Sequence, residues 1–110
     1  MKRIQKGASE QIFLTARDEN GNVAKEELSS LILDIVIAQK TDETKYIHIT
    51  SNEIQSNEEE GYVSFVLSDQ DTASIDGIAS LELRGQNGTI ATKQNAFLFE
   101  DNVIHTIDIL

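Results

Sequence analysis

The stretch Ser29–Gln39, Ser-Ser-Leu-Ile-Leu-Asp-Ile-Val-Ile-Ala-Gln, is the longest apolar run of the chain and decides its fold class. Its length suits a buried strand or a buried helix, and its β-branched residues favour the strand. With a period of two, one face of that strand carries the aliphatic side chains Leu31, Leu33, Ile35 and Ile37. The other face carries Ile32, Asp34, Val36 and Ala38, and we expect it to be the less buried one.

Shorter runs with similar alternation lie on both sides of this stretch. They are Gln11–Arg17, Lys45–Ser51, Tyr62–Leu67, Ile78–Arg84 and Thr89–Glu100. Turn signals separate the runs, and Asn20-Gly21 and Asn87-Gly88 suit the positive φ angles of tight turns. Seven or eight short strands, with turns every ~8–12 residues, are typical of an antiparallel β-sandwich. The chain is therefore predicted to be all-β.

A short helical turn is predicted near residues 69–75. Ser68 or Asp69 can accept hydrogen bonds from the free backbone N–H groups of a helix start, where acidic residues are favourable. Asp69, Asp71 and Asp76 could together hold a hard cation weakly. Helix capping accounts for the acidic residues with fewer assumptions, and we favour it.

The chain length of 110 residues suits one domain. We expect an N-terminal arm at residues 1–10, able to end as an edge strand, and a β-sandwich domain at residues 11–101. Residues 102–110 are predicted to be an exit segment or an extra strand. The apolar side chains of the arm and the exit segment are candidates for a protein interface: Ile4, Val103, Ile104, Ile107 and Ile109.

The composition excludes several classes of protein. Nine Lys and Arg residues face nineteen Asp and Glu residues, which gives a formal charge of −10. Such a surface repels nucleic-acid backbones, so we expect no nucleic-acid binding. No apolar run approaches the ~18–20 residues that span a bilayer, so we expect no membrane partner. The absence of cysteine excludes disulfides, thiolate zinc sites and a cysteine nucleophile.

The sequence carries no catalytic motif. His48 and His105 are the only imidazoles, and neither has a His, Asp or Glu at the spacing of metal ligands. His48 lies on the polar face of a predicted strand and is expected to be a cross-strand surface residue. No phosphate-binding glycine loop, serine-hydrolase motif or zinc-protease motif is present. We therefore predict that the protein is not an enzyme and has no cofactor or metal.

The segments Gly61–Leu67, Asp76–Leu83 and Ala96–Asp101, with a short polar turn and an Asn-Gly turn between them, carry a family resemblance. The first half of the chain contributes to the same resemblance, with Ile12–Thr15 followed by Asp18–Val23. Over about residues 6–103, this order of turns and apolar positions resembles the N-terminal domain of phage baseplate upper proteins and related tail-tip proteins. The chain departs from that pattern at Ile78, where the family often has an aromatic residue.

This resemblance implies an immunoglobulin-like sandwich that attaches host-recognition components to a phage or prophage tail. It implies a location in the virion after synthesis in the bacterial cytoplasm. The expected partners are other tail or baseplate proteins, and a homo-oligomer is a further option. A carbohydrate- or cell-surface-binding β-sandwich remains the alternative. That function requires exposed aromatic rings, and only Tyr46, Tyr62 and four Phe residues are available.

Overall fold

The computed structural model describes residues 1–15, 17, 20–22, 34–57, 59–85 and 90–102. These residues form strands β1 (Lys2–Gln5), β2 (Glu10–Thr15), β3 (Asp34–Gln39), β4 (Tyr46–Ile49), β5 (Gln55–Asn57), β6 (Tyr62–Leu67), β7 (Gly77–Arg84) and β8 (Ile90–Glu100). A 3-10 turn at Ser51–Glu53 precedes β5, and one short α-helix, α1 (Asp69–Ala73), lies between β6 and β7. The prediction of an all-β fold is confirmed.

The strands form two sheets. The larger sheet has five strands in the order β1-β8-β7-β3-β4, and the smaller sheet has three in the order β2-β6-β5. All neighbouring pairs are antiparallel except β1 and β8, which run parallel. The expectation of a purely antiparallel sandwich was therefore wrong at this edge. Because β1 and β2 lie in different sheets, no hairpin imposes an antiparallel direction on β1.

One hydrophobic core takes side chains from both sheets, as period-two alternation requires. Within β3, Ile35 and Ile37 are buried whereas Asp34, Val36 and Ala38 are only partly buried. The register places Ile37 between Ile47 of β4 and Leu81 of β7. The core residues are Ile4, Ile12, Ile35, Ile37, Ile47, Ile49, Val63, Phe65, Leu67, Ile75, Ala79, Leu81, Leu83, Phe97 and Phe99. The predicted faces of β3 are confirmed for residues 34–38.

The first ten residues are part of the fold. β1 is an edge strand of the larger sheet, and its Ile4 is 0% exposed and lies opposite Phe99 of β8. Ile4, one of the interface candidates, is thus a core residue within its own chain, because pairing with β8 turns its side chain inward. The other interface candidates, Val103, Ile104, Ile107 and Ile109, lie outside the described residues, as do the Asn87-Gly88 turn and His105.

The short helix begins with the predicted cap. The Ser68 hydroxyl accepts a hydrogen bond from the backbone N–H of Asp71, and the Asp71 carboxylate accepts one from the N–H of Ser68, each at 3.0 Å. This reciprocal pair satisfies two free donors at the helix start. Thr72 is buried and donates a hydrogen bond of 2.9 Å to the carbonyl of Ala8. The helix therefore anchors the chain just before β2.

The buried position of Ile4 leads to a prediction about stability. Ile4→Ala should lower the free energy of unfolding by about 2 kcal/mol, the lower end of the range for such truncations, because a terminal strand can relax around the cavity. Urea denaturation of wild type and variant measures the loss. Val66→Ala, at a position that is 55% exposed, is the control and should change stability by less than about 0.5 kcal/mol. Equal losses in the two variants would contradict the core position of Ile4.

Candidate functional site

The outer face of the larger sheet carries a groove of about 360 Å³ that is open to solvent. Side chains of four neighbouring strands and the loop before β4 line it: Val36, Ala38, Glu43, Tyr46, His48, Ser80, Glu82, Arg84 and Lys93. These residues share a face because the register sets Val36 beside both His48 and Glu82. The groove is thus built on a paired sheet and not on loops.

Glu82 is the electrostatic centre of this groove. Its carboxylate accepts hydrogen bonds from Nε and Nη2 of Arg84 at 2.9 and 2.6 Å, and Lys93 Nζ lies 3.3 Å from its other oxygen. The Glu82 side chain is only 13% exposed. The hydrogen bonds from Arg84 are the main cause that lowers the pKa of Glu82, with Lys93 contributing and burial opposing. The carboxylate is therefore held ionised between two cations.

The rim of the groove offers further polar groups and one aromatic ring. His48 Nε2 lies 3.5 Å from a carboxylate oxygen of Asp34, and Lys93 Nζ lies 3.9 Å from Glu43. Tyr46 is 59% exposed, so its ring is available for stacking. Charged hydrogen-bonding groups beside an exposed ring suit a polar ligand such as a sugar. His48 is a surface residue opposite Val36 of the neighbouring strand, as predicted.

The outer face of the smaller sheet has a different chemistry. The register places eight side chains on it, and none of them is charged: Gln11, Phe13, Thr15, Gln55, Asn57, Tyr62, Ser64 and Val66. We call this surface the neutral face. Its lack of charge stands out on a chain with a formal charge of −10. A shallow depression of about 230 Å³ adjoins Gln11, Ser64 and Val66, and the acidic side chain of Glu53, from the 3-10 turn before β5, also lines it.

An aromatic pair lies on the neutral face. Phe13 is 61% exposed and contacts Tyr62 edge-to-face, with ring centroids 5.9 Å apart. Val66, on the same strand as Tyr62, is also exposed. Asn57 donates a hydrogen bond of 3.2 Å to the Tyr62 hydroxyl, which fixes the ring at one side of the sheet. The pair therefore presents a partly exposed apolar surface.

Sequence reasoning did not single out Phe13, Tyr62 or Val66 as site residues. The alternation in Gln11–Arg17 put Phe13 and Thr15 opposite Ile12 and Leu14, but both faces were apolar. Only the pairing of β2 with β6 shows which face is solvent-exposed and brings Phe13 close to Tyr62. The missing signal is thus the cross-strand register, which one strand's pattern does not contain.

Among the described residues, no group of three or more His, Cys, Asp or Glu side chains is arranged to hold a metal ion. No helix among the same residues is long and apolar enough to cross a membrane. Of the three acidic residues considered for a cation, Asp71 caps α1, Asp69 accepts a hydrogen bond from the N–H of Gln70, and Asp76 pairs with Lys6.

Comparisons of the chain with protein-family models, with curated proteins and with solved structures found no match. The resemblance to phage baseplate proteins therefore stays a prediction.

The ionised state of Glu82 leads to a prediction about pH dependence. Because its pKa in the folded protein is lowered, its contribution to stability is present above the ordinary pKa of a glutamate and is lost as the pH falls through the lowered value. The free energy of unfolding should therefore drop more between pH 7 and pH 3 in wild type than in Glu82→Gln, by roughly 1 kcal/mol or less. Urea titrations at both pH values measure the difference. Arg84→Gln removes the main cause of the lowered Glu82 pKa, so it should reduce the loss of stability between pH 7 and pH 3 in a similar way. If both variants lost as much stability as wild type over this pH range, Glu82 would not be the source of the pH dependence.

Proposed function

We propose that this protein is an immunoglobulin-like docking module of a phage or prophage tail or baseplate, and that it attaches host-recognition components to the tail. It works by binding another protein and carries no catalytic role. The neutral face is the observation that carries the docking proposal. The phage assignment rests on the sequence resemblance.

The strand order supports the immunoglobulin-like part of the proposal. In immunoglobulin folds, strands B, E and D are neighbours in one sheet, and strands G, F and C, with C′ in the variable type, are neighbours in the other. In chain order, β2 to β8 occupy the positions B, C, C′, D, E, F and G, and both sheet orders then agree. The departure is β1, which lies beside β8 and not beside β2.

The composition of the neutral face supports docking to a protein. The central parts of protein interfaces are depleted in charged residues and enriched in aromatic ones, since burial of an unpaired charge is costly. Phe13 and Tyr62 supply the aromatic surface, and Gln, Asn, Thr and Ser side chains surround them. A partner can therefore cover this face without desolvating any charged group of the three strands.

The net charge supports a partner of a defined kind. The outward positions of the three strands carry none of the formal charge of −10, and the acidic side chain of Glu53 lines the depression beside them. This arrangement favours a partner with an apolar centre and a basic rim. At low salt, the net negative charge also makes free copies of the chain repel one another. A basic docking surface on the tail fits this requirement.

Co-purification with phage particles tests this function. Tagged wild type, Phe13→Ser and Tyr46→Ser are expressed during induction of the lysogen that carries the gene, and tails are purified on a density gradient. Wild type and Tyr46→Ser should remain with the tails, and Phe13→Ser should be at least ten-fold depleted, the loss expected for an interface residue of about 1.4 kcal/mol or more. The two positions form a matched pair, because Phe13 is 61% and Tyr46 59% exposed. Absence of wild type from purified tails would contradict the proposal.

The groove on the larger sheet favours a second candidate, a carbohydrate- or cell-surface-binding module. Its specific support is the exposed ring of Tyr46 in the groove that the side chains of Glu82, Arg84 and His48 also line. Aromatic rings can stack on sugar faces while charged groups hydrogen-bond to hydroxyls. This candidate uses the opposite sheet from the docking proposal, so the same two variants separate them.

Glycan-array binding tests the second candidate. If the groove binds a sugar, wild type and Phe13→Ser should give the same positive signals, and Tyr46→Ser should lose at least ten-fold in affinity for those glycans, because the stacking surface is gone. Isothermal titration with the best glycan measures the loss. An array without any reproducible signal, or binding that is unaffected by Tyr46→Ser, would remove this candidate.

A further inference from the structure

The first strand is cationic and is held on an acidic body. Residues 1–6 contain Lys2, Arg3 and Lys6 and no acidic residue, a formal charge of +3. Residues 7–110 contain the other six basic residues and all nineteen acidic ones, a formal charge of −13. A third of the basic residues of the chain is therefore concentrated in its first six positions.

Each of these three cations pairs with a carboxylate outside its own segment. Lys2 Nζ lies 3.0 Å from Glu10, Arg3 Nε bonds to Glu100 at the end of β8, and Lys6 Nζ bonds to Asp76 just before β7. The Asp76 hydrogen bond raises the pKa of Lys6, and the same contact lowers that of Asp76. All three pairs are partly exposed, so water and salt screen them.

Only one large apolar side chain inserts from this segment into the core. Ile4 is fully buried, whereas Lys2 and Arg3 are exposed and Gln5 and Lys6 are partly exposed. Among the described strands, β1 pairs with β8, over four residues, Lys2 to Gln5. Of the contacts seen in the described part of the chain, separation of the segment from the body gives up one buried side chain, one short ladder, the hydrogen bond from the Lys6 N–H to the Glu100 carbonyl and three screened ion pairs.

A hinge lies directly after the segment. Gly7 has φ +80°, and no atom lies within 4 Å of the position where a Cβ would project. On its far side, the Ala8 carbonyl is fixed by the buried Thr72. Glycine adopts an extended conformation as readily as a positive φ, so Gly7 can open the turn while Ala8 stays in place.

We propose that β1 is an exchangeable strand: the slot beside β8 accepts the first strand of a second copy of this chain, with Gly7 as the hinge. In the exchanged dimer, Ile4 fills the partner's core. Lys2, Arg3 and Lys6 of the exchanged segment pair with the carboxylates of Glu10, Glu100 and Asp76 in that copy. The contacts are those of the closed monomer, which is why exchange needs no new surface. This inference does not depend on the phage proposal.

Cysteine trapping tests the exchange, because the chain has no cysteine of its own. Arg3 and Leu98 are register partners across the β1–β8 pair. Adjacent strands lie about 4.8 Å apart, within the ~4.4–6.8 Å between Cα atoms that a disulfide spans. Full-length Arg3→Cys and isotope-labelled Leu98→Cys are mixed well below the unfolding temperature with oxidised glutathione. Mass spectrometry should find a mixed disulfide dimer.

Two controls make the result decisive. A chain that carries both Arg3→Cys and Leu98→Cys should close its own disulfide and verify the register. A mixture of Arg3→Cys with Val66→Cys, on the opposite sheet, should give no mixed dimer above background. Closure within the double variant together with no mixed dimer from the two single variants would overturn the proposal. Equal yields from the Leu98 and Val66 mixtures would also overturn it, because they would reflect random collision.

The hinge provides a second, independent measurement. Gly7→Ala strains the turn of the closed form, where φ is +80°, and leaves an extended hinge unstrained. Because each exchanged dimer relieves this strain at two hinges, analytical ultracentrifugation of the cysteine-free chain should show an association constant for dimerisation raised roughly 30- to 900-fold. The matched substitution Gly21→Ala, at φ +82° in the turn after β2, adds the same strain away from the hinge and should leave the constant unchanged. An unchanged constant in Gly7→Ala would count against Gly7 as the hinge.

Discussion

The burial of Ile35 and Ile37 between the two sheets is the constraint on which the rest of the structure depends. β3 lies between β7 and β4, so both side chains contact aliphatic residues on either side within their own sheet and face the smaller sheet across the core. Because side chains alternate along a strand, this burial turns Ile47 and Ile49 of β4 and Leu81 and Leu83 of β7 toward the interior as well. The remaining residues become the outer face, and the chemistry of the outer face is what distinguishes this domain from others with the same core.

The outer faces of the two sheets differ in charge. On the larger sheet, acidic and basic residues neutralise one another around Glu82, whose carboxylate is held by Arg84 and Lys93. On the smaller sheet, charge is absent from every outward position of the three strands. A surface of paired charges retains its water and recognises polar ligands, whereas an uncharged surface with an aromatic pair loses water easily. The same acidic chain thus presents one surface of paired charges and one uncharged surface with an aromatic pair.

The sequence was sufficient for the fold class, the alternation of β3 and the capped helix, because each depends on neighbours within a few residues. Ser68 and Asp71, for example, stand at the spacing of a capping box. It was insufficient for Ile4, whose burial depends on pairing with β8 more than ninety residues later, and for the parallel direction of that pair. The neutral face was missed for the same reason, since Phe13 and Tyr62 meet only through the register of β2 with β6. Non-local pairing is the part that one strand's pattern does not encode.

The proposed docking and the proposed strand exchange use different parts of the fold and are compatible with each other. The exchange slot lies at the edge of the larger sheet beside β8, and the neutral face belongs to the smaller sheet. Exchange of β1 replaces each contact by its equivalent from another copy and leaves the pairing of β2, β5 and β6 intact. Two copies joined through their first strands would therefore each retain a complete neutral face. When one neutral face of such a dimer is bound, the other is held at a high effective concentration near a second site on the same assembly. Two contacts that are weak individually would then be sufficient for stable attachment.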